Sequence, residues 1–413
     1  MKNNIFRALR SRNYKLYFTG QAISLIGTWI QSTAMSWLVY RLTNSSVLLG
    51  TTAFLSQIPN LFLSPFIGVF LDRFSKHKIL ILTQTLLMFQ ALVLSLLTLT
   101  NHIQIWHILF LSLILGILNS IDAPTRQSFV IEMVEREENL SNAIALNSFL
   151  FNSARLIGPT IGGFLITLLG EGLCFMLNAI SYLAVIIALL FMKVKPMILV
   201  KTINIFSDLK EGFRYSFKFI VVRNVLTFIA FSSILSSVYS VLMPIFARDI
   251  LHGGPETLGI LTGAIGAGAL IGAIYLAGRT KIKGIEKIIA RSFGTAGLGL
   301  IVFSLSRNLF LSISALLITG LSFMLNSVCS NTLIQSTIEN HIRGRVMSIY
   351  VMFFMGSMPL GSYLGGYLAK YIGPVNTVLI SGILCLICSL LYQLRLPILQ
   401  SHIYKILEKK NLS

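Results

Sequence analysis

Twelve long apolar runs alternate with short, mostly basic breaks: roughly 16–40, 47–71, 78–99, 103–122, 140–168, 172–192, 224–247, 257–278, 286–305, 308–331, 345–369 and 374–396. Each is close to the ~20 residues that carry a helix across a bilayer. Inside several runs, polar residues return every third or fourth position. Span one has Gln21, Ser24, Thr28, Gln31, Ser32 and Ser36, and span five has Ser148, Asn152, Arg155 and Pro159. Span seven has Ser232, Ser233, Ser236, Ser237, Tyr239 and Ser240, and span ten has Asn326, Ser327, Ser330 and Asn331. That spacing gathers polar groups on one helix face. In lipid such a face meets another helix or a wet cavity, and a stripe running the whole span favours the cavity. The expected fold is an all-α integral membrane protein of twelve transmembrane helices.

Composition agrees: 55% of the 413 residues are hydrophobic and 11% charged, more apolar than a soluble core requires. The net charge of +19 would by itself suggest nucleic acid, but its placement argues otherwise. With a cytoplasmic N-terminus, 28 of the 33 Lys and Arg fall on inner segments. Only Arg41, Arg248, Arg307 and Lys370 lie outside, and Arg155 alone stays in the membrane. This asymmetry puts both termini in the cytoplasm under the positive-inside rule, makes the charge a topology signal, and speaks against a nucleic-acid partner.

The only long inner segment is 193–223, where Phe206, Leu209, Phe213, Phe217 and Ile220 recur at helical spacing among charges. It reads as an amphipathic surface helix joining a bundle at 1–192 to a second at 224–396, with a cytoplasmic tail at 397–413. Ile5, Phe6 and Leu9 among Arg7, Arg10 and Arg12 predict a short helix on the inner surface, and no cleavable signal peptide is read. Cys385-x-x-Cys388 sits in an apolar span and reads as two small helix residues. The six histidines fall in loops or at span ends. No metal, cofactor or enzymatic centre is expected.

The candidate chemistry gathers around Ala154-Arg155-Leu156-Ile157-Gly158-Pro159-Thr160-Ile161-Gly162-Gly163. Its small residues permit close helix approach, and its arginine falls near mid-bilayer, about 21 Å along the helix from Ser141. No span offers a carboxylate at that depth, so Arg155 is expected to use carbonyls, amides, water or a bound anion, or to serve as a strut between helices. Asp122 closes span four, with Pro124 expected to end the helix and Arg126 one turn on. Asp72 and Arg73 follow span two at the same depth, so the two acid–base pairs are expected to latch an inner rim. With no mid-span carboxylate, Asp122 is the candidate proton carrier, unless coupling runs indirectly through competition at a wet site.

The second half of the chain echoes the first. At an offset of 207, Arg41, Asn119 and Ser120 match Arg248, Asn326 and Ser327. At an offset of 203, Gly158, Gly162, Gly163 and Gly170 match Gly361, Gly365, Gly366 and Gly373, while Arg155 meets Met358 and Asn152 meets Met355. The first half thus presents a charge where the second presents soft apolar groups. The expected substrate cavity is Gln31, Asn119, Asn152, Arg155, Tyr239, Asn326, Met355 and Met358.

Several of these stretches resemble the major facilitator superfamily. Gly158-Pro159-x-x-Gly162-Gly163 is similar to the fifth-helix signature of its exporters. Gly68-x-x-x-Asp72-Arg73 is similar to the signature between its second and third helices, with Ser75 and Lys76 where Gly-Arg is usual. Phe6 to Leu9, Asp122-Ala123-Pro124-Thr125-Arg126 and Ala154 to Pro159 look like the bacterial branch of enterobactin and macrolide exporters. The resemblance implies two pseudo-symmetric six-helix bundles in a bacterial inner membrane, rocking around a midplane site. It further implies proton-driven outward transport of a small amphiphile, a siderophore or a drug; Arg155 adds the expectation of an anionic group on it, and a monomer is expected. It leaves open an importer or lysolipid flippase of the same fold. A non-transporting sensor or scaffold is the reading of another class, against which the polar stripes count.

Overall fold

The computed structural model describes residues 6–71, 74–134, 136–194, 205–279, 283–339 and 342–409, and nearly all of them are helical. The long helices are α1 (Arg12–Thr43), α2 (Ser46–Leu71), α3 (Lys76–Leu99), α4 (Ile105–Met133), α5 (Leu140–Leu190), α6 (Ile205–Lys218), α7 (Ile220–Val241), α8 (Pro255–Ala277), α9 (Ile285–Leu305), α10 (Leu309–Thr337), α11 (Arg343–Ile372) and α12 (Pro374–Lys409). Among the described residues, ten helical stretches are long and apolar enough to cross a membrane. α1 falls short of that measure because of its polar stripe. α5 holds two spans, since Gly170 leaves the helical region (φ 80°, ψ 168°) and breaks it in two. Counted so, and with α6 set apart as the linker helix, the helices supply the twelve expected crossings.

Gly373 repeats the Gly170 break between α11 and α12 (φ 82°, ψ 156°), 203 positions later. Both need a left-handed φ that residues with a Cβ rarely adopt. Pro124 does not end its helix as expected. α4 runs on to Met133, with the Thr125 and Ser128 hydroxyls donating to the Ile121 and Pro124 carbonyls. Such hydroxyl bonds support the turns around a proline within a membrane helix.

The chain divides into two compact units. The first holds Met1–Leu42, Ile58–Ile203 and Gly254–Gly263. Its core packs Tyr14, Phe129, Met133, Ala143, Val185 and Leu189 in one cluster, and Leu87, Ala91, Leu118, Ala179 and Tyr182 in another. The N-terminal turn, Arg7–Arg10, is folded onto this core rather than lying apart on a surface. Ala8 is fully buried with its N–H on Asn142 Oδ1 (2.9 Å), and Ser11 Oγ donates to the Met133 carbonyl (2.7 Å).

The second unit holds Thr43–Gln57, Asn204–Gly253 and Ala264–Ser413. Its core is aromatic, with Phe228 against Phe293 (4.7 Å between centroids) and Phe246 against Phe303 (4.6 Å). α6 is tied to α11 by Glu211–Arg345 (2.6 Å). The expected tail is a continuation of α12, in which Leu399 and Ile403 are buried. In both units the outward faces carry exposed Leu, Ile and Phe, as surfaces that meet lipid do.

Candidate substrate and coupling sites

The glycines of α5 are places where helices touch backbone to backbone. A Cβ on Gly158 would strike Trp29 of α1, and one on Gly162 would lie 3.2 Å from Ile30 Cα. On Gly163 it would come within 2.5 Å of the Pro255 carbonyl and 2.9 Å of Gly259 Cα in α8. The second unit repeats the pattern. Gly361 and Gly365 meet Ile234 and Val238 of α7, and Gly366 meets Ser46 and Gly50 of α2, where Ser46 Oγ donates to the Gly366 carbonyl (2.8 Å). The 203-residue repeat is therefore a repeat of helix contacts. Its counterpart in α2 and α8, Gly50 with Gly259 at an offset of 209, escaped the sequence reading because one matching glycine in a Leu-Gly pair is a weak signal.

Arg155 lies two turns from Gly162 on the same helix, half-buried, and has a polar or electrostatic interaction of its own. Asn152 Nδ2 donates to the Ser148 carbonyl (2.8 Å) and Ser148 Oγ to the Ile144 carbonyl (3.0 Å), so both side chains lie along their own helix. Asn119, Asn152 and Met358 are half-buried and Met355 is exposed. The other three expected cavity residues are buried. Tyr239 is buried and stacked on Phe323 (5.8 Å). Asn326 is fully buried, and among the described residues neither amide atom has a hydrogen-bond partner. Gln31 is buried in a chain in which Asn178 Nδ2 donates to its Oε1 (2.7 Å) and its Nε2 donates to Gln90 Oε1 (3.3 Å). Gln90 in turn reaches the Leu111 carbonyl (3.3 Å).

Asp122 and Arg126 are brought together, but turned into the bundle. The Asp122 side chain is 2% exposed, and its Oδ2 lies 2.7 Å from Arg126 Nε at a poor hydrogen-bonding angle, an ion pair across one helical turn. Oδ1 accepts from Thr83 Oγ1 (3.0 Å) and Gln84 Nε2 (2.8 Å) of α3. Tyr17 of α1 and Tyr182 of α5, both buried, lie near Arg126. Polar groups thus run from the Asp122 pair to Gln31 and Gln90 within the first unit. Thr83, Gln84 and Gln90 were missed as site residues, although their spacing in α3 marks one polar face. Gly68 lies in α2, while Asp72 and Arg73 lie outside the described residues. At the other end of the unit, Arg41 holds Glu171 (2.6 Å), the residue after the Gly170 break.

Comparison with known proteins follows this geometry. Residues 4–409 match the model of a family described as transmembrane secretion effector, MFS_3. The chain is similar to the staphyloferrin A transporter of Staphylococcus aureus (strain NCTC 8325 / PS 47), with 26% identity covering 89% of this chain and 92% of that protein. It is also similar to macrolide efflux protein A of Streptococcus pyogenes, with 23% identity covering 93% and 98%. A crystal structure of a mutant of the nucleoside transporter NupG superposes with a TM-score of 0.71 at 14% identity, covering 93% of this chain and 99% of that one. At that identity the likeness is one of fold.

Proposed function

The chain belongs to the transmembrane secretion effector family of major facilitator transporters, and on that premise we propose that it exports a small anionic amphiphile, driven by the proton gradient. The observation that carries the reading is Arg155, a half-buried arginine one turn from Gly158 and two from Gly162, the glycine contacts of α5. A planar guanidinium recognises a carboxylate or catecholate with two parallel bonds, and a bound anion offsets part of the cost of holding the charge away from water. Relatives named for a siderophore and for a macrolide support a substrate of this size and character.

Export, rather than uptake, is the direction of the relatives named as efflux proteins. The inner excess of Lys and Arg supports a cytoplasmic-membrane protein with both termini inside. The test is accumulation in inverted vesicles whose lumen is acidified. The reading expects a carboxylate- or catecholate-bearing amphiphile to be concentrated inside and released by a protonophore. Accumulation indifferent to the gradient would overturn proton-driven export.

A further inference from the structure

Three tyrosines stand one turn apart on α11, at Tyr363, Tyr367 and Tyr371, and all three are exposed (42–63%). Their rings form a continuous ladder. Tyr363 stacks on Tyr367 (6.3 Å between centroids), and Tyr367 is tilted against Tyr371 (5.0 Å). At one end Phe54 of α2 meets Tyr363 (5.7 Å). At the other the Lys370 ammonium sits 5.6 Å from the centre of the Tyr371 ring. Lys370 is exposed, and no carboxylate pairs with it among the described residues. All of these residues belong to the second unit.

The ladder lies on the face of α11 turned away from its glycine contacts. Gly361 and Gly365 pack against α7 and Gly366 against α2, whereas Leu360, Leu364 and Leu368 are exposed beside the tyrosines. A surface so rich in leucine meets lipid rather than a water-filled cavity. Helix packing does not call for tyrosine here. The 203-residue repeat puts Thr160, Phe164 and Leu168 at the equivalent positions.

Depth sets these hydroxyls apart from an aromatic belt, whose rings sit at headgroup level. Tyr371 fits such a belt, since it closely precedes the Gly373 turn. Tyr363 stands about 15 Å further in at 1.5 Å per residue, near the middle of a ~30 Å hydrocarbon core. Helix side chains lean toward the N-terminus, which on α11 points away from the Gly373 turn, so Tyr363 does not reach back to that surface. Its hydroxyl has no hydrogen-bond partner among the described residues. A donor left unpaired in hydrocarbon is costly, and an acceptor on a bound molecule relieves it.

We propose that the exposed seam of α2 and α11 binds an anionic amphiphile, and that the exported molecule enters the adjoining leaflet by this route. Its head meets Lys370, and its body lies along Tyr371, Tyr367 and Tyr363. Amide or ester carbonyls one to two helical turns below the head accept from the tyrosine hydroxyls. An ordinary phospholipid has only methylenes at that depth and leaves Tyr363 unsatisfied. The identity of the ligand as the exported molecule rests on the function proposed above.

The test is photolabelling of the full-length protein in lipid nanodiscs with no gradient applied. Labelling and gradient-driven uptake can then fail independently, and only the loss of labelling counts against the seam. The probe is an N-acyl-8-aminooctanoate with a diazirine in its acyl chain, which carries an amide well below its carboxylate. An analogue with an ammonium head and a diazirine-bearing phosphatidylcholine serve as comparisons. The probe is expected to label residues 50–57 and 360–371 in preference to both, and its unlabelled form to displace it. Tyr363→Phe with Tyr367→Phe keeps the rings and should cut that labelling about fivefold, as the loss of two hydrogen bonds in a membrane implies. Labelling no stronger than that by phosphatidylcholine, or undiminished in the double variant, overturns the proposal. Lys370→Gln, at an exposed position, covers a failure of the double variant to fold. It should erase the preference for carboxylate over ammonium, and a preference that survives it also overturns the proposal.

Discussion

Asp122 shows how a charge is kept inside a bundle: an arginine one turn away, a hydroxyl and an amide converge on it. Removing one partner of a buried pair costs about 3–5 kcal/mol, whereas replacing both with apolar groups of similar volume is often neutral. Asp122→Asn is therefore expected to lower the unfolding temperature markedly, and Asp122→Leu with Arg126→Met to recover most of it. A thermal unfolding series in detergent checks the pattern, and equal losses in both variants would contradict it. The acid and base were legible in the sequence because they share a helix, four positions apart. Their partners on α3 were not, because the register of two packed helices is set by the packing.

At the scale of helices, two pairs of glycines meet backbone to backbone. Gly163 meets Gly259 in the first unit, and Gly366 meets Gly50 in the second. Backbone cannot give way as a side chain does, and overpacking costs about 1–3 kcal/mol. Gly163→Val and Gly366→Val are each expected to cut transport about tenfold, the equivalent of some 1.4 kcal/mol. Gly344→Ala, whose Cβ would meet nothing within 4 Å, should leave transport unchanged. Transport rates normalised to membrane protein level decide the matter, and full activity in both valine variants would remove these contacts from the account. The α5 and α11 glycines announced themselves by number and spacing. The N-terminal segment did not announce its docking, since a basic, apolar-dotted stretch reads equally as a membrane-surface helix or as a clasp on the bundle.

For the molecule as a whole, twelve crossings and the internal repeat were readable from hydropathy, charge and recurring glycines, because bilayer thickness and lipid solvation leave a chain few options. The chemistry was harder to read. Polar stripes in the sequence do not distinguish a wet face from a helix contact, and Gln31, Tyr239 and Asn326 on those stripes are buried. Arg155 remains the residue on which export of an anion rests. The most direct measurement compares uptake of an anionic and a neutral amphiphile of similar size into inverted vesicles carrying wild type or Arg155→Lys at equal protein level. The account predicts that the lysine variant, charged but without the planar fork, loses the anionic substrate selectively. Equal loss of both, or undiminished uptake of the anion, would contradict it.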